Sequence, residues 1–201
     1  ITSSEFKEAY SLGNSFSRNR KLSFHNAVFF ISSVLRKSIS SEINNFIEDH
    51  KYLNFSSITK QAFSKARQNI SPEAFAELCR LFVNRYYSLN KNLDTWNGFN
   101  ILAVDGTSLQ VPDTKECGEY FGLSSNQNHT KTATRAASAL YDVLNDIIVD
   151  ARITKFKTSE RLIAKQHIET IDNIFSPQKS IIIFDRGYPS YDMFDYLNSK
   201  E

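Results

Sequence analysis

The sequence predicts an α+β protein, with an all-helical amino-terminal half followed by a half in which strands and helices alternate. In residues 1–96, apolar side chains recur every three or four positions, which is the period of an amphipathic helix. In residues 97–201, short apolar runs bounded by turn residues replace that period and indicate strands. With 41% apolar residues and only 6 Gly and 4 Pro, the chain can bury a substantial core.

Composition excludes several other classes of protein. No run approaches the ~18 consecutive apolar residues of a membrane span, and no low-complexity tract is present. Cys79 and Cys117 lie far apart and form no Cys-x-x-Cys pair, which argues against a disulfide scaffold or a thiolate zinc site. We therefore expect a protein of a reducing compartment, cytoplasmic and without a membrane partner.

The net charge of +2 conceals opposite charges on the two halves. Residues 1–96 contain 13 Lys and Arg against 8 Asp and Glu, whereas residues 97–201 contain 11 against 14. The halves therefore carry formal charges of +5 and −3. This division suits a protein that holds a polyanion with one half and a divalent cation with the other. Ordinary surface variation is the simpler explanation of the charges taken alone.

Three helices of the first half are predicted from their apolar faces and start signals. The first face consists of Phe24, Ala27, Val28, Ile31, Val34 and Leu35. The second, shorter face consists of Ile43, Phe46 and Ile47. A third helix begins at the Ser-Pro-Glu word 71–73, because these residues occur in the order that a helix start prefers. Its stripe consists of Phe75, Leu78, Cys79, Phe82 and Tyr86.

Residues 57–68 predict a further helix with two different faces. Three small or apolar residues face inward: Ala62, Phe63 and Ala66. Six polar or basic residues face outward: Lys60, Gln61, Ser64, Lys65, Arg67 and Gln68. Such side chains reach phosphates and base edges when a helix lies in the major groove of DNA. The pattern indicates a DNA-recognition helix, and a solvated helix face explains it equally well.

The second half predicts three strands, a helix, a fourth strand and a last helix. The strands are expected at 99–105, 135–143, 147–153 and 181–185. The helix between the third and fourth strands starts at the cap Ser159 and buries Ile163, His167, Ile171 and Ile174 on one face. Pro177 ends that helix, and Pro189 opens the last one. Residues 112–134 have no period and predict a long loop.

The informative residues are two acids, Asp105 and Asp185, each of which follows an apolar run that predicts a strand buried on both faces. If these strands are parallel neighbours, both carboxylates emerge at the same edge of the sheet. Two such carboxylates repel each other unless a divalent cation lies between them, and oxygen ligands suit Mg²⁺ or Mn²⁺. The pair therefore supports two-metal phosphoryl transfer. Taken singly, each Asp is better explained as a turn or cap residue.

The order of these elements, with acids ending the first and fourth strands, is ribonuclease-H-like. Each acid lies in a short motif: Val-Asp-Gly-Thr at 104–107 and Phe-Asp-Arg-Gly-Tyr at 184–188. Together with Arg-Lys-Leu at 20–22 and Gln-Ala-Phe-Ser-Lys-Ala-Arg at 61–67, they resemble DDE transposases of the insertion-sequence-four group. The resemblance spans nearly the whole chain, and its most specific motif is Asp-Arg-Gly-Tyr.

The resemblance implies a bacterial, nucleoid-associated transposase that binds double-stranded DNA at transposon ends and target sites. It implies strand cleavage and transfer with two Mg²⁺ or Mn²⁺ ions, and a homodimer in the DNA complex. It assigns Asp105 and Asp185 as catalytic and metal-binding acids and places Arg186 beside a DNA phosphate. The alternative for Arg186 is an ion pair with Asp185 or Asp192.

The resemblance also implies a third catalytic acid, a Glu in the pattern Tyr-x-x-Arg-x-x-x-Glu. That pattern does not occur in the 201 residues. Since the chain starts at Ile1 and stops at Glu201 within a helical pattern, we expect a fragment that ends before the third acid. Its site is then catalytically incomplete, with weak or absent metal binding.

We therefore expect a helical DNA-binding domain at 1–96, followed at 97–201 by the first part of a ribonuclease-H-like catalytic domain. Two other functions compete with this one, and the sequence argues against the first. A phosphohydrolase of the haloacid-dehalogenase type needs a nucleophilic Asp two residues before Asp105, where Ala103 stands. A non-catalytic DNA-binding protein derived from a transposase needs only the helical half to be functional.

Overall fold

The computed structural model describes residues 3–17, 21–33, 37–53, 55, 57–125, 131–172, 174 and 179–200. The chain divides into two compact units, Ile1–Leu78 and Cys79–Glu201. A division of function near residue 96 stays a prediction. Several residues of the predicted elements and words lie outside the described part: Arg20, Val34, Leu35 and Pro177.

Helices build the first unit. They are α1 (Ser4–Tyr10), α2 (Phe24–Ser32), α3 (Ile39–Asp49) and α4 (Lys60–Arg67), with a 3-10 turn at Lys51–Leu53. A fifth helix, α5 (Glu73–Leu89), contributes residues to both units. Before each of the first four helices, a hydroxyl accepts a hydrogen bond from the amide three residues later, at Ser3, Ser23, Ser38 and Thr59. These N-caps explain where the helices begin.

Aromatic rings dominate the core of the first unit. Six of its buried residues are phenylalanines: Phe6, Phe24, Phe30, Phe46, Phe55 and Phe63. The Phe30 ring centre lies 4.8 Å from that of Phe63 and 5.1 Å from that of Phe46, both in edge-to-face geometry. Such pairs add to the free energy of burial. Phe24, Ala27 and Val28 of the face predicted for α2 are buried here, as are Ile43 and Phe46 of the face predicted for α3. Ile31 and Ile47 are partly buried, so both helices are confirmed over the described residues.

A five-stranded sheet lies at the centre of the second unit. Its strands are β1 (Asn100–Gln110), β2 (Leu123–Ser125), β3 (Lys131–Asp142), β4 (Ile147–Lys155) and β5 (Ser180–Ile183). Its helices are α6 (Lys115–Phe121), α7 (Glu160–Ile171) and α8 (Tyr191–Asn198). In the part of the chain that the structure describes, no helix is both long and apolar enough to cross a membrane.

The sheet combines an antiparallel meander with one parallel strand. β3 lies between β1 and β4 and pairs antiparallel with both, while β2 pairs with the start of β3. The chain then passes through α7, and β5 pairs with β1 in parallel, as a crossover connection allows. The adjacency of the two strands that precede the acids is therefore confirmed. The order β4-β3-β1-β5 is consistent with the ribonuclease-H-like arrangement.

The two faces of the sheet are covered differently. Leu102 and Val104 of β1 are buried in a core that includes Ile168 of α7. In contrast, Ile181 and Ile183 of β5 are 36% and 49% exposed. The prediction that both strands are buried on both faces is wrong, because successive side chains point to opposite faces and one of these faces is open.

Two further predictions differ from the structure. Residues 112–134 do not form one long loop, since α6, β2 and the first residues of β3 lie within them. The α5 stripe is only partly right: Phe75, Leu78 and Cys79 pack against the cores, whereas Phe82 is 61% exposed. Ala74 and Val83, which the stripe left out, are fully buried. Ala74 packs in the core of the first unit and Val83 in that of the second. A helix that serves two cores does not need one continuous apolar stripe.

Candidate active site

The parallel pairing of β1 with β5 brings Asp105 and Asp185 to the same level of the sheet. The last paired residues are Ala103 and Ile183, each two positions before its acid. Neighbouring strands lie about 4.8 Å apart. The structure therefore places the segments that carry Asp105 and Asp185 side by side, as predicted.

Each of the two acids is exposed and is oriented by a backbone amide of its own segment. The Gly106 amide donates to Asp105 Oδ1 and the Gly187 amide to Asp185 Oδ1, both at 2.7 Å. Asp185 lies two residues after β5, as expected. Asp105 instead lies within β1, because antiparallel pairing with β3 continues as far as Gln110. The expectation that Asp105 ends its strand is therefore wrong, although its side chain stays accessible.

Two residues that sequence reasoning missed, Tyr188 and Glu160, lie beside this pair. Tyr188 is 2% exposed, and within the described residues its hydroxyl has no hydrogen-bond partner. A Cβ placed on Gly106 would lie 3.7 Å from that hydroxyl and 3.8 Å from Glu160 Oε1. Burial, and then the charges of Glu160, Asp185 and Asp105, raise the pKa of Tyr188 to about 12. The hydroxyl therefore remains protonated near neutral pH.

Arg161, in the first turn of α7, anchors the segment that carries Asp185. Its Nε donates to the Tyr188 carbonyl at 3.1 Å and its Nη2 to the Gly187 carbonyl at 2.9 Å. A planar guanidinium holds two acceptors in a fixed relative geometry. Sequence reasoning missed this contact too, since nothing in the local pattern of α7 marks its partner.

The part of the chain that contains both acids is also similar to known proteins. Residues 96–201, slightly more than half of the 201 residues, match the family model described as "Transposase DDE domain". The chain belongs to the transposase DDE domain family. The Escherichia coli (strain K12) protein described as "Putative transposase InsZ" is 26% identical over 145 residues. This match covers 71% of the chain but 47% of that protein, so the chain spans about half the length of this relative. No solved structure matches significantly.

DDE transposases are phosphoryl-transfer enzymes that use divalent metal ions. The acid pair fits such an ion in its chemistry, because Mg²⁺ is often bound by one or two carboxylates together with water and substrate phosphates. Among the described residues, no three His, Cys, Asp or Glu side chains are grouped so that they could hold a metal ion. Among the described residues, Glu160 therefore does not complete a three-carboxylate cluster with Asp105 and Asp185.

The predicted recognition face lies on α4 and at its carboxyl end. Five of its six side chains are exposed: Lys60, Gln61, Lys65, Arg67 and Gln68. Ser64 is half-buried, and Ala62 is exposed although it was expected to face inward. The reason is the narrow apolar stripe of this eight-residue helix, in which Phe63 is the buried residue and Ala66 is half-buried. The exposed face carries three cations and no acid.

Arg186 follows the second acid directly and is exposed. Among the described residues the alternative ion pair with Asp192 does not form; Asp192 Oδ2 lies 2.8 Å from Lys165 Nζ instead. Within the part of the chain that is described, Arg186 also makes no ion pair with Asp185. Its guanidinium therefore projects from the loop of the DDE domain as an accessible cation.

Proposed function

We propose that this chain is part of a transposase of the insertion-sequence-four group. Its helical unit binds transposon-end DNA, and Asp105 and Asp185 act in metal-dependent strand cleavage and transfer. The observation that carries the proposal is the parallel register of β1 and β5, which aligns two exposed carboxylates. Membership of the DDE family supports the reaction class.

Asp105 and Asp185 are the residues that would hold Mg²⁺ or Mn²⁺. Such ions, when bound, activate the attacking oxygen and stabilise the leaving oxygen of a phosphodiester. The Gly106 and Gly187 amides orient the two carboxylates. The exposed Arg186 guanidinium binds a DNA phosphate through charge-assisted hydrogen bonds. The protonated Tyr188 hydroxyl keeps a hydrogen-bond donor beside the acids.

The described residues supply two of the carboxylates that a two-metal centre needs. The sequence contains no Tyr-x-x-Arg-x-x-x-Glu pattern, and no third acid joins the pair in the part of the chain that is described. We therefore propose that the 201-residue chain binds the ion weakly and does not cleave DNA without a further carboxylate.

DNA binding is assigned to the helical unit because α4 lines a groove of suitable charge. Lys65 and Gln61 of α4 line one side of this groove, and Lys21 lies among the residues that line the rest. No Asp or Glu is among the described residues that line the groove. Cations that face an open groove of this kind are suited to contacts with backbone phosphates.

The metal assignment is tested by titrating the 201-residue chain with Mn²⁺ and following free Mn²⁺ by electron paramagnetic resonance. Asp105→Asn and Asp185→Asn should each weaken binding at least about tenfold, because each removes one of two charged ligands. Asp113→Asn, at an exposed position of the same unit, is the matched control and should leave binding unchanged.

Equal Mn²⁺ affinity in all three variants would overturn the metal site. A parent chain that binds duplex DNA but no Mn²⁺ would favour the second candidate, a non-catalytic DNA-binding protein derived from a transposase.

A further inference from the structure

A buried polar chain lies behind β1 and ends at the candidate catalytic acid. His167 of α7 is fully buried; its Nδ1 lies 2.8 Å from Asp150 Oδ2 and its Nε2 lies 3.0 Å from Ser138 Oγ. The Ser138 hydroxyl donates in turn to the backbone carbonyl of Asp105 at 3.0 Å. Four residues from β4, α7, β3 and β1 are therefore connected by three hydrogen bonds.

The number of available protons determines the direction of each bond. The hydroxyl of Ser138 has one hydrogen, which goes to the Asp105 carbonyl, so Ser138 Oγ must accept from His167 Nε2. The Asp150 carboxylate can only accept, so His167 Nδ1 must donate to it. The buried ring of His167 therefore links the Asp150 carboxylate to the Ser138 hydroxyl.

The Asp150 carboxylate also accepts hydrogen bonds from residues other than His167. Arg152 Nε donates to Asp150 Oδ2 at 2.7 Å, and the Thr170 hydroxyl lies 3.3 Å from that oxygen. Arg152 also donates to the Gln166 carbonyl at 3.2 Å. The Asp150 end of the hydrogen-bonded network is therefore held between β4 and α7. This makes it a rigid support for the Asp105 end.

A Ser, a His and an Asp in this order resemble a nucleophilic triad, but the geometry excludes that role. Ser138 is 6% exposed, so a substrate cannot approach its oxygen. Its hydroxyl hydrogen is donated to the Asp105 carbonyl and not to His167, so the ring is not placed to remove that hydrogen as a base. The network therefore has no nucleophile. What it can affect at the surface is the orientation of the backbone at Asp105.

We propose that Ser138, His167 and Asp150 are positioning residues that fix the β1 backbone at Asp105 and so orient the carboxylate that, with Asp185, would hold the ion. The role in metal binding rests on the proposed function. Outer-shell hydrogen bonds hold metal ligands in the required orientation, and their loss commonly costs 10- to 100-fold in metal affinity. The network supplies that support from the face of the sheet opposite to the exposed carboxylate.

Ser138→Ala is the most direct test, because it removes one hydroxyl and little volume. Its matched control is Thr134→Val, which removes a buried hydroxyl on the same strand that donates to the Thr132 carbonyl rather than to β1. Amide exchange of Gly106, whose N–H donates to the Asp105 carboxylate, reports the local geometry without any metal. We expect exchange to accelerate about fivefold in Ser138→Ala, the factor that corresponds to one hydrogen bond, and to stay unchanged in the control.

Two substitutions of His167 separate positioning from packing. The Gln amide nitrogen reaches the place of Nε2 and can still donate to Ser138, whereas the Asn amide nitrogen reaches the place of Nδ1 and can donate only to Asp150. We therefore expect His167→Gln to keep slow Gly106 exchange and near-parental Mn²⁺ affinity. His167→Asn and Ser138→Ala should lose roughly tenfold in Mn²⁺ affinity.

Equal Gly106 exchange in Ser138→Ala and Thr134→Val overturns the proposal, as does equal behaviour of the Gln and Asn variants. If the His167 variants do not fold, the comparison of Ser138→Ala with Thr134→Val still tests the proposal. A parent chain that binds no Mn²⁺ contradicts the proposed function alone, since the exchange measurement then still tests whether the network holds Asp105.

Discussion

The two units of the chain bury different kinds of side chain. The core of the helical unit is apolar and rich in phenylalanine, and hydroxyl groups cap the starts of its first four helices. Among the described residues, every buried polar side chain belongs to the sheet unit: Thr134, Ser138, Asp142 and His167. Burying such groups costs free energy unless their hydrogen bonds are satisfied.

In the sheet unit these bonds hold particular backbone segments in place. Asp142, for example, accepts from the amides of Leu144 and Asn145 and from the Tyr87 hydroxyl, which fixes the turn between β3 and β4. For the proposed DNA binding, the helical unit requires only a stable core that keeps the α4 face exposed. The sheet unit must also orient individual atoms, and it uses buried polar groups to do so.

The largest expected effect is the loss of an aromatic side chain from the helical core. Phe30→Ala should lower the free energy of unfolding by about 3–5 kcal/mol, because the fully buried ring contacts three other rings. Phe82→Ala removes the same group from an exposed position and should cost less than about 0.5 kcal/mol. Urea unfolding followed by circular dichroism measures both, and similar losses would show that the aromatic core does not stabilise the unit.

The second effect concerns the surface that the helical unit presents. Replacing Lys60, Lys65 and Arg67 together by Ala should make the salt dependence of duplex binding shallower by roughly 0.9 in log–log slope for each phosphate that is no longer neutralised. Fluorescence anisotropy at several KCl concentrations measures this slope. The control replaces Lys37, Lys51 and Lys91, which are exposed elsewhere and change the net charge equally. The same flattening in both triple variants would mean that net charge, rather than the α4 face, binds DNA.

A smaller effect is expected where the sheet unit holds the loop of its second acid. Arg161→Ala should destabilise residues 185–188 locally by about 1 kcal/mol, since two carbonyls lose their donor. Arg161→Lys should restore little, because an ammonium does not reproduce the planar fork of a guanidinium. Hydrogen exchange of the Tyr188 amide reports the opening, with the exposed Arg85→Ala as control. Full rescue by Lys would show that charge alone holds the loop.

The smallest effect is a pH dependence of the sheet unit. Burial opposes ionisation of Asp150, but the hydrogen bond from His167 and the charge of Arg152 outweigh it and lower its pKa below about 3.8. A lowered carboxyl pKa contributes stability that is present above the unfolded value and is lost as pH falls through the folded value. Thr170 also faces this carboxylate, and Cys79 lies near enough to interact with it.

The free energy of unfolding should therefore decrease below about pH 4, and Asp150→Asn should remove part of that decrease. Denaturant titrations between about pH 5 and pH 3 measure it, with Asp113→Asn as the control for an exposed carboxyl. An acid slope that is identical in the parent and in Asp150→Asn would contradict the assigned ion pair.

Much of the fold followed from the sequence because its causes are local. Apolar runs and turn residues predicted β1, β3, β4 and β5, and the ribonuclease-H-like order of these elements led us to expect β5 beside β1. Residues 112–134 were predicted wrongly, since β2 is specified by its pairing with β3 rather than by a period of its own. The α4 face was largely predicted, because exposure on a short helix follows from its own periodicity.

By itself, the sequence determined the two acids, their strands and the helices α2 to α5, α7 and α8, because each depends on residues a few positions apart. Only the tertiary structure decided that Glu160, Arg161 and Tyr188 meet beside Asp185, and that His167 is part of a polar network rather than an apolar helix face. Arg161 and Tyr188 are separated by 27 residues, and His167 and Ser138 by 29. Contacts over such separations arise from strand register and helix docking, and neither leaves a periodic mark in the chain.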